Sequence, residues 1–506
     1  MHPEIILFFS RHLLEYDIYS LIKAFWTGAE VRITYDIPED TAGKALCCVI
    51  YEGAGEEISG VRVSVKLPDR EISEAPQMYG LRSREAQIGI EQGSTKLEIK
   101  NRVKQLVYCL LRDMTGKDLP WGDLTGIRPV GLVSHLLASG MTDAEILRYM
   151  QTEWFVSDVK SRLALETAKR ERTVLEKIDP ASGWSLYIGI PFCPSICLYC
   201  SFGSHPLERW KEQVEDYLEA LKKELRAIAQ MMNEKRLDTI YIGGGTPTSL
   251  SENQLEKLMD MVTEIFDIRQ LSEFTVEAGR PDTITKKKLQ ILKGHGVSRI
   301  SVNPQTMNEK TLERIGRKHT VIETTDAFAL AREEGFDNIN MDLIIGLPGE
   351  GERDVAYTLG EIKKLSPDSL TIHSLALKRA TRLNLFREEY ESDAFVNSEE
   401  IMEMTKACAE EMGMHPYYLY RQKNIAGNFE NTGYAREGKE GLYNILIMEQ
   451  RQMIVAAGSG ASTKLFADGG RIIRIENVKD LTQYLERVDE MIEKKRSGLN
   501  ALRSGA

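Results

Sequence analysis

From Ser185 onward, short runs rich in β-branched and aromatic residues alternate with charged segments whose apolar residues recur at helical spacing. Ser185-Leu-Tyr-Ile-Gly-Ile190, Thr239-Ile-Tyr-Ile-Gly243, Glu273-Phe-Thr-Val-Glu277, Arg299-Ile-Ser-Val-Asn303, Asn340-Met-Asp-Leu-Ile344 and Ser369-Leu-Thr-Ile-His373 read as strands. Gln213 to Gln230, Glu252 to Phe266 and Ile322 to Glu334 read as amphipathic helices between them. Six β/α units in series predict an α/β fold with parallel strands and right-handed crossovers, closed wholly or partly into a barrel. Functional positions then belong at the carboxyl ends of the strands.

The pattern differs before residue 181. Val31-Arg-Ile-Thr-Tyr-Asp36, Leu46-Cys-Cys-Val-Ile-Tyr51 and Val61-Arg-Val-Ser-Val-Lys66 predict strands followed by helices, an N-terminal α+β domain over residues 1–180. Pro120-Trp-Gly-Asp-Leu-Thr-Gly-Ile-Arg-Pro129 is dense in turn formers and reads as a structured linker, and the charged helix Ser157 to Lys177 leads into the barrel of residues 181–377. Residues 378–506 form a C-terminal α+β extension, with the aromatic run Pro416-Tyr-Tyr-Leu-Tyr420 and the glycine-rich Ala457-Gly-Ser-Gly-Ala461. No internal repeat or low-complexity tract is present.

Composition narrows the function classes. With 506 residues, 42% hydrophobic and 28% charged, the chain can bury more than one core. Sixty-five Lys and Arg against 76 Asp and Glu, a formal net charge of -11, argue against broad electrostatic binding to nucleic acid or anionic lipid. Ile5-Ile-Leu-Phe-Phe9 is too short for a membrane span and is flanked by Glu4 and Arg11, unlike a signal peptide. A cytoplasmic protein is expected.

The strongest chemical signal is Pro191-Phe-Cys-Pro-Ser-Ile-Cys-Leu-Tyr-Cys-Ser-Phe202. Cys193, Cys197 and Cys200 in CxxxCxxC spacing supply three thiolates to a four-iron cluster and leave one iron open, as a cluster that binds and reduces a substrate requires. Structural zinc wants four closed ligands, and no second pair exists here. A disulfide framework wants an oxidising compartment, and these seven cysteines are scattered without a secretory leader. Cys47, Cys48, Cys109 and Cys408 lie in apolar contexts and read as buried small hydrophobes, so one cluster in a reducing cytoplasm is expected.

Other candidates stand at the predicted strand ends. Gly243-Gly-Gly-Thr-Pro-Thr248 lets backbone approach a ligand closely, although glycines also serve ordinary turns. Glu277 and Asp342 are acids in otherwise apolar strands, costly unless something pairs with them, and such acids also satisfy structural hydrogen bonds. Gln305 follows the fourth strand. Arg317, twelve positions on, suits a carboxylate held bidentately, with a solvated helix charge as the alternative. All of these converge over the cysteine loop.

CxxxCxxC after a first strand, GGGTP after a second and an acid ending the third resemble the radical S-adenosylmethionine enzymes. Tyr187-Ile-Gly-Ile-Pro-Phe-Cys193, the Gln305 to Arg317 interval, Asp342-Leu-Ile-Ile-Gly-Leu-Pro348 and Pro367-Asp-Ser-Leu-Thr-Ile-His373 resemble the oxygen-independent coproporphyrinogen III dehydrogenase group, and within it the HemZ-like branch with its long N-terminal extension. The resemblance covers about residues 185–480. It implies a partial (β/α)6 barrel, one [4Fe-4S] cluster and S-adenosylmethionine chelating the open iron, with Gly244, Gly245 and Thr246 on its amino-acid end and Tyr187, Tyr199, Glu277, Gln305, Arg317, Asp342 and Ala376 as further contacts. It also implies a porphyrinogen substrate, whose propionates become vinyl groups by hydrogen abstraction and loss of carbon dioxide in haem biosynthesis, and an electron donor such as flavodoxin or ferredoxin. It singles out no catalytic side chain.

Two positions depart from that pattern. Gly189 stands where the dehydrogenases carry the His of Tyr-x-His, and Phe202 stands where they carry a fourth cysteine, a feature shared with the related haem chaperones. Both bear on the substrate and neither on the cluster. A haem chaperone is therefore the alternative; it would need an axial ligand such as His205 or His373, and no CxxCH attachment motif is present. Radical modification of RNA or protein is a third reading, with no basic run to recommend it.

Overall fold

The computed structural model describes residues 4–26, 29–38, 41, 43–54, 57–67, 83–201, 204–376, 381, 383, 396–422, 425, 428–467 and 471–503. Two compact units divide the chain: Met1–Leu165 with Arg421–Glu430, and Glu166–Tyr420 with Asn431–Ala506. The first break falls inside the helix Asp158–Leu175, where the sequence suggested residue 180, and residues 431–506 pack in one unit with the predicted barrel strands. Among the described residues no helix is long and apolar enough to cross a membrane.

The first unit is built on strands β1 (Glu4–Phe9), β2 (Glu30–Thr34), β3 (Ala45–Glu52), β4 (Gly60–Lys66) and β5 (Ser83–Gly89) in the order β2-β1-β3-β4-β5. The run Ile5–Phe9, noted in the sequence only as too short for a span, is an inner strand parallel to both β2 and β3. Its residues Ile5, Leu7 and Phe9 join Ile18, Leu21 and Phe25 of the helix Glu15–Phe25 and Val103, Val107 and Leu111 of the helix Lys96–Thr115 in one core. The alternation of β1 and the 3.6-residue stripes of the helices produce that shared face.

Within the expected linker 120–129, Trp121 to Leu124 are buried in this unit, whereas Gly126 and Ile127 are exposed. Trp121 is fully buried and donates from Nε1 to Glu430 Oε2 at 2.8 Å, and buried Lys160 donates to Glu430 Oε1 at 2.8 Å. Arg421 donates to the carbonyl of Leu124. Residues 421–430 are thereby tied into the first unit by buried charge and hydrogen bonds.

The second unit carries β6 (Gly183–Ile190), β7 (Phe192–Cys193), β8 (His205–Pro206), β9 (Arg236–Gly244), β10 (Glu273–Glu277), β11 (Arg299–Ser301), β12 (Ile339–Ile345), β13 (Ser369–Ser374), β14 (His415–Tyr420), β15 (Asn431–Ala435), β16 (Met453–Ala457), β17 (Ser462–Phe466) and β18 (Ile472–Glu476). Eleven of these form one sheet in the order β14-β15-β13-β12-β11-β10-β9-β6-β16-β17-β18. The six predicted strands run parallel in sequence order from β6 to β13. They are nearly continuous apolar runs because both faces are buried. The fourth is shorter than expected, three residues, since Pro304 cannot donate to a ladder.

The C-terminal residues extend both sides of this sheet. On one side β15 pairs antiparallel with β13. On the other, β16 lies parallel to β6, Ala456 opposite Tyr187, so the parallel run has seven strands rather than six. Behind β6, the helix Val214–Met231 buries Leu218, Leu221, Leu225 and Ile228 and carries the fully buried Glu224. Glu224 accepts from Lys495 Nζ at 2.7 Å, Asn477 Nδ2 at 2.8 Å, Tyr484 OH at 2.6 Å and the Gly458 amide at 2.9 Å. A buried carboxylate with four donors is satisfied, and the network fastens the C-terminal helix Val488–Arg503 to the sheet.

Candidate functional site

The site is assembled where β6 and β9 end. Gly189 pairs with Gly243 and Ile190 with Gly244, so the strand feeding the cysteine loop and the strand feeding the glycine turn finish side by side. The Gly245 amide donates to Ile190 O and the Thr246 amide to Phe192 O, each at 2.7 Å. A Cβ at Gly245 would stand 2.5 Å from Phe192 O and 2.9 Å from Ile190 O, while Gly244 has φ +107°. Both positions therefore demand glycine, one for close backbone approach and one for its dihedral.

The three cysteines lie in one loop closed at its base by β7 and β8 and by the His205 amide on Pro191 O at 2.7 Å. Cys193 Sγ lies 3.4 Å from Thr246 Oγ1, which joins the cysteine loop to the glycine turn. Burial pushes the Cys193 thiol up, and the Thr246 hydroxyl partly offsets this. The Leu198 amide donates to Ile315 O at 2.9 Å, and Ser195 Oγ to Gly316 O at 3.2 Å, tying the loop to the segment that leads to Arg317. None of the seven cysteines forms a disulfide. Cys47 and Cys408 are buried as expected, whereas Cys48 and Cys109 are half-exposed: Cys48 alternates with Cys47 along β3, and Cys109 flanks the core on its helix.

Glu277, at the end of β10, accepts from Tyr241 OH at 2.6 Å, and a Cβ on Gly243 would stand 3.0 Å from its carboxyl carbon. Burial raises Glu277 to about 7, opposed by the Tyr241 hydrogen bond and helped by the charge of Asp342. Tyr187, Tyr241 and Tyr443 stack beside it, with Tyr241 and Tyr443 centroids 4.5 Å apart. Asp342 accepts from Asn340 Nδ2 at 2.7 Å and lies 3.8 Å from His373 Nε2. Its burial favours the neutral acid, but His373, Asn340 and Thr371 outweigh that and hold it below the usual carboxylate range.

Gln305 has φ +69° and exchanges backbone hydrogen bonds with β12, donating to Asp342 O at 3.0 Å and accepting from the Ile344 amide at 2.9 Å. Its side-chain Oε1 is buried with no partner among the described residues. A buried, orphaned amide oxygen held on strained backbone is what a ligand donor would satisfy. Arg317, 7% exposed, is not a solvated helix charge: it donates to Asn303 O, to Gly279 O at 3.4 Å and to Tyr199 OH at 3.2 Å, and bonds Cys197. Tyr199 itself packs on the cluster of Leu198, Leu312, Ile315 and Ile344.

Thus Tyr187, Tyr199, Gly244, Gly245, Thr246, Glu277, Gln305, Arg317 and Asp342 are linked to one another or to the cysteine loop by direct contacts. Ala376 sits half-buried just past β13. A Cβ at Gly189 would meet only Ala457 O and Tyr187 Cε1 at 3.5 Å and Ser459 O at 3.7 Å, ordinary contacts, so the backbone there does not require glycine. Phe202 lies outside the described residues. Sequence reasoning missed Arg280 and Asp282. Arg280 is 2% exposed and reaches Ser195 and Cys197 from the turn after Glu277, where Arg-Pro-Asp carries only a turn signal.

Residues 187–362 match the model of the radical SAM superfamily. The oxygen-independent coproporphyrinogen-III oxidase-like protein HemZ of Bacillus subtilis is 41% identical over 403 residues, 79% of this chain and 80% of that protein. The heme chaperone HemW of Bacillus subtilis is 34% identical over 60% of this chain and 76% of its own length. Among solved structures, the coproporphyrinogen III oxidase HemN of Escherichia coli, a radical SAM enzyme, superposes with a TM-score of 0.50 at 25% identity, covering 65% of this chain and 73% of that one. Such proteins carry a [4Fe-4S] cluster and S-adenosylmethionine, and the cysteine triad and the orphaned Gln305 suit both. Taken with the geometry, these likenesses show that the chain belongs to the radical SAM superfamily, in the family of the HemZ-type coproporphyrinogen-III oxidase-like proteins.

Proposed function

We propose that this chain is an enzyme that converts propionate side chains of coproporphyrinogen III to vinyl groups without oxygen, in haem biosynthesis. One observation carries the reading: the likeness to a coproporphyrinogen-III oxidase-like protein runs along 79% of the chain, far beyond the radical SAM segment itself. The cluster and S-adenosylmethionine, when bound, supply a carbon radical able to take hydrogen from an unactivated position.

The chain's own residues bind and orient. Cys193, Cys197 and Cys200 hold three irons. Gly244, Gly245 and Thr246 would present the turn after β9 to the amino-acid end of S-adenosylmethionine, with Glu277 accepting from its amino group and Gln305 Oε1 gaining the donor it lacks in the protein alone. Arg317 holds Tyr199 and the loop carbonyls in place at that end. Tyr187 packs against the cofactor beside Tyr241 and Tyr443, and Asp342 and Ala376 line its remaining edge. An electron donor of the flavodoxin or ferredoxin type supplies the reducing equivalent, in the cytoplasm.

The test is product formation under strict anaerobiosis. With a strong reductant, S-adenosylmethionine and coproporphyrinogen III, methionine and 5′-deoxyadenosine should appear together with carbon dioxide and a divinyl product seen by mass spectrometry. The 34% identity to a heme chaperone supports a second reading, in which haem binds stoichiometrically and passes to an acceptor protein. Haem transfer without vinyl formation, from protein with its cluster intact, would replace the first reading by the second.

A further inference from the structure

Two buried guanidinium groups reach Cys197. One belongs to Arg317. The other belongs to Arg280, whose Nη1 donates to Ser195 Oγ at 3.0 Å and lies 3.9 Å from Cys197 Sγ. Asp282 takes the rest of that guanidinium bidentately, Nε at 2.9 Å and Nη2 at 2.8 Å, so its plane is fixed and Nη1 is the corner left facing the cysteine loop. Cys193, by contrast, has the neutral hydroxyl of Thr246 as its neighbour. The loop is electrostatically lopsided.

We propose that Arg280 is a positioning residue that sets the reduction potential of the cluster through the Cys197 thiolate, with Asp282 aiming it. Adding one electron adds one negative charge, and a cation held at a ligand sulfur in a low-dielectric interior favours the reduced form. Outer partners of ligand atoms tune a metal centre without touching the metal. Asp282 acts in the opposite sense, because its charge offsets part of the arginine's field from the far side of the guanidinium. The inference rests only on the three cysteines holding the cluster, and does not depend on which substrate is used.

Arg280→Gln, Arg280→Lys and Asp282→Asn would be made in the full chain and reconstituted anaerobically. Iron content is measured first, then the midpoint potential by titration followed by electron paramagnetic resonance, without S-adenosylmethionine or substrate. Arg280→Gln should lower the ratio of reduced to oxidised cluster at a fixed poise by about tenfold, ~59 mV for one electron. Asp282→Asn should move the midpoint the other way, and Arg280→Lys should stay nearer the parent than Arg280→Gln. An Arg280→Gln protein with full iron and the parent midpoint overturns the proposal. If that variant does not retain iron, an unmoved midpoint in Asp282→Asn overturns it instead.

Discussion

Tyr241 donates a hydrogen bond from its hydroxyl to Glu277 at 2.6 Å while its ring stacks on Tyr443 at 4.5 Å, so a residue of the C-terminal region buttresses the acid at the end of β10. Glu277 titrates near 7, raised first by burial. If its ionised form accepts a hydrogen bond from the iron-bound amino group of S-adenosylmethionine, affinity must rise with pH. From pH 6 to pH 8 the ionised fraction goes from about 0.09 to about 0.91, a gain of about tenfold in affinity. Calorimetry on the parent and on Glu277→Gln checks this: the variant should bind more weakly at pH 8 and show no such slope from this group. Tyr241→Phe removes a bond that lowers the Glu277 value and should push the transition to higher pH.

Arg317→Ala should weaken S-adenosylmethionine binding by about thirtyfold, the loss of a charged partner worth on the order of 2 kcal/mol. Because Arg317 also holds Tyr199 and the carbonyls of Gly279 and Asn303, the same variant should retain less iron after reconstitution, whereas Glu277→Gln should keep its full complement. Equal iron content in the two variants would contradict the contacts of Arg317 with the loop.

Replacing Cys193, Cys197 or Cys200 by Ala should abolish the cluster, while Ala at Cys47, Cys109 or Cys408 should leave about four iron and four sulfide per chain. Chemical iron and sulfide assays decide this. About eight of each in the parent would mean a second cluster.

What the sequence made legible follows burial. The strands from β6 to β13 are covered on both faces and therefore read as apolar runs, and Glu277 stood out as an acid closing one of them. β5, Ser83–Gly89, lies at the edge of its sheet with most side chains exposed and carries no apolar alternation to detect. β16 is apolar, but its partner β6 lies about 270 residues earlier, and no local period reveals such pairing. Arg280 was hidden for the same reason: its turn looks ordinary, and its meaning comes from Ser195 and Cys197, more than eighty residues away.

Gly245→Ala should disable the site without changing any cysteine of the triad. Its Cβ would meet the Phe192 and Ile190 carbonyls, and relief requires moving β6 away from β9 just where the cysteine loop starts. A loss of about 2 kcal/mol in stability is expected from such overpacking, with reduced iron retention. Denaturant unfolding and iron assay on the apo and reconstituted forms measure both. Full iron retention at parental stability would show that the turn can relax.

Lys495→Ala leaves Glu224 buried with its cation gone. Both side chains are essentially unexposed, and breaking such a pair costs about 3–5 kcal/mol. Chemical denaturation should show a loss in this range, and limited proteolysis should cut first near the C-terminal helix. Glu224→Gln keeps one acceptor for the Gly458 amide and Tyr484 but turns an amide N–H2 toward Lys495 and Asn477, so it too should destabilise the C-terminal helix.

The placement of β16 beside β6 sets an order on the birth of this protein. β6 bears the cysteine loop at its end, yet one of its two flanks stays bare until residue 457 has left the ribosome. For most of synthesis the strand that will hold iron is thus an open sheet edge, the kind of surface on which chains stick to one another. A gene truncated after β15 would leave that edge permanently uncovered, and its product should collect in inclusion bodies even though every cysteine of the triad is present.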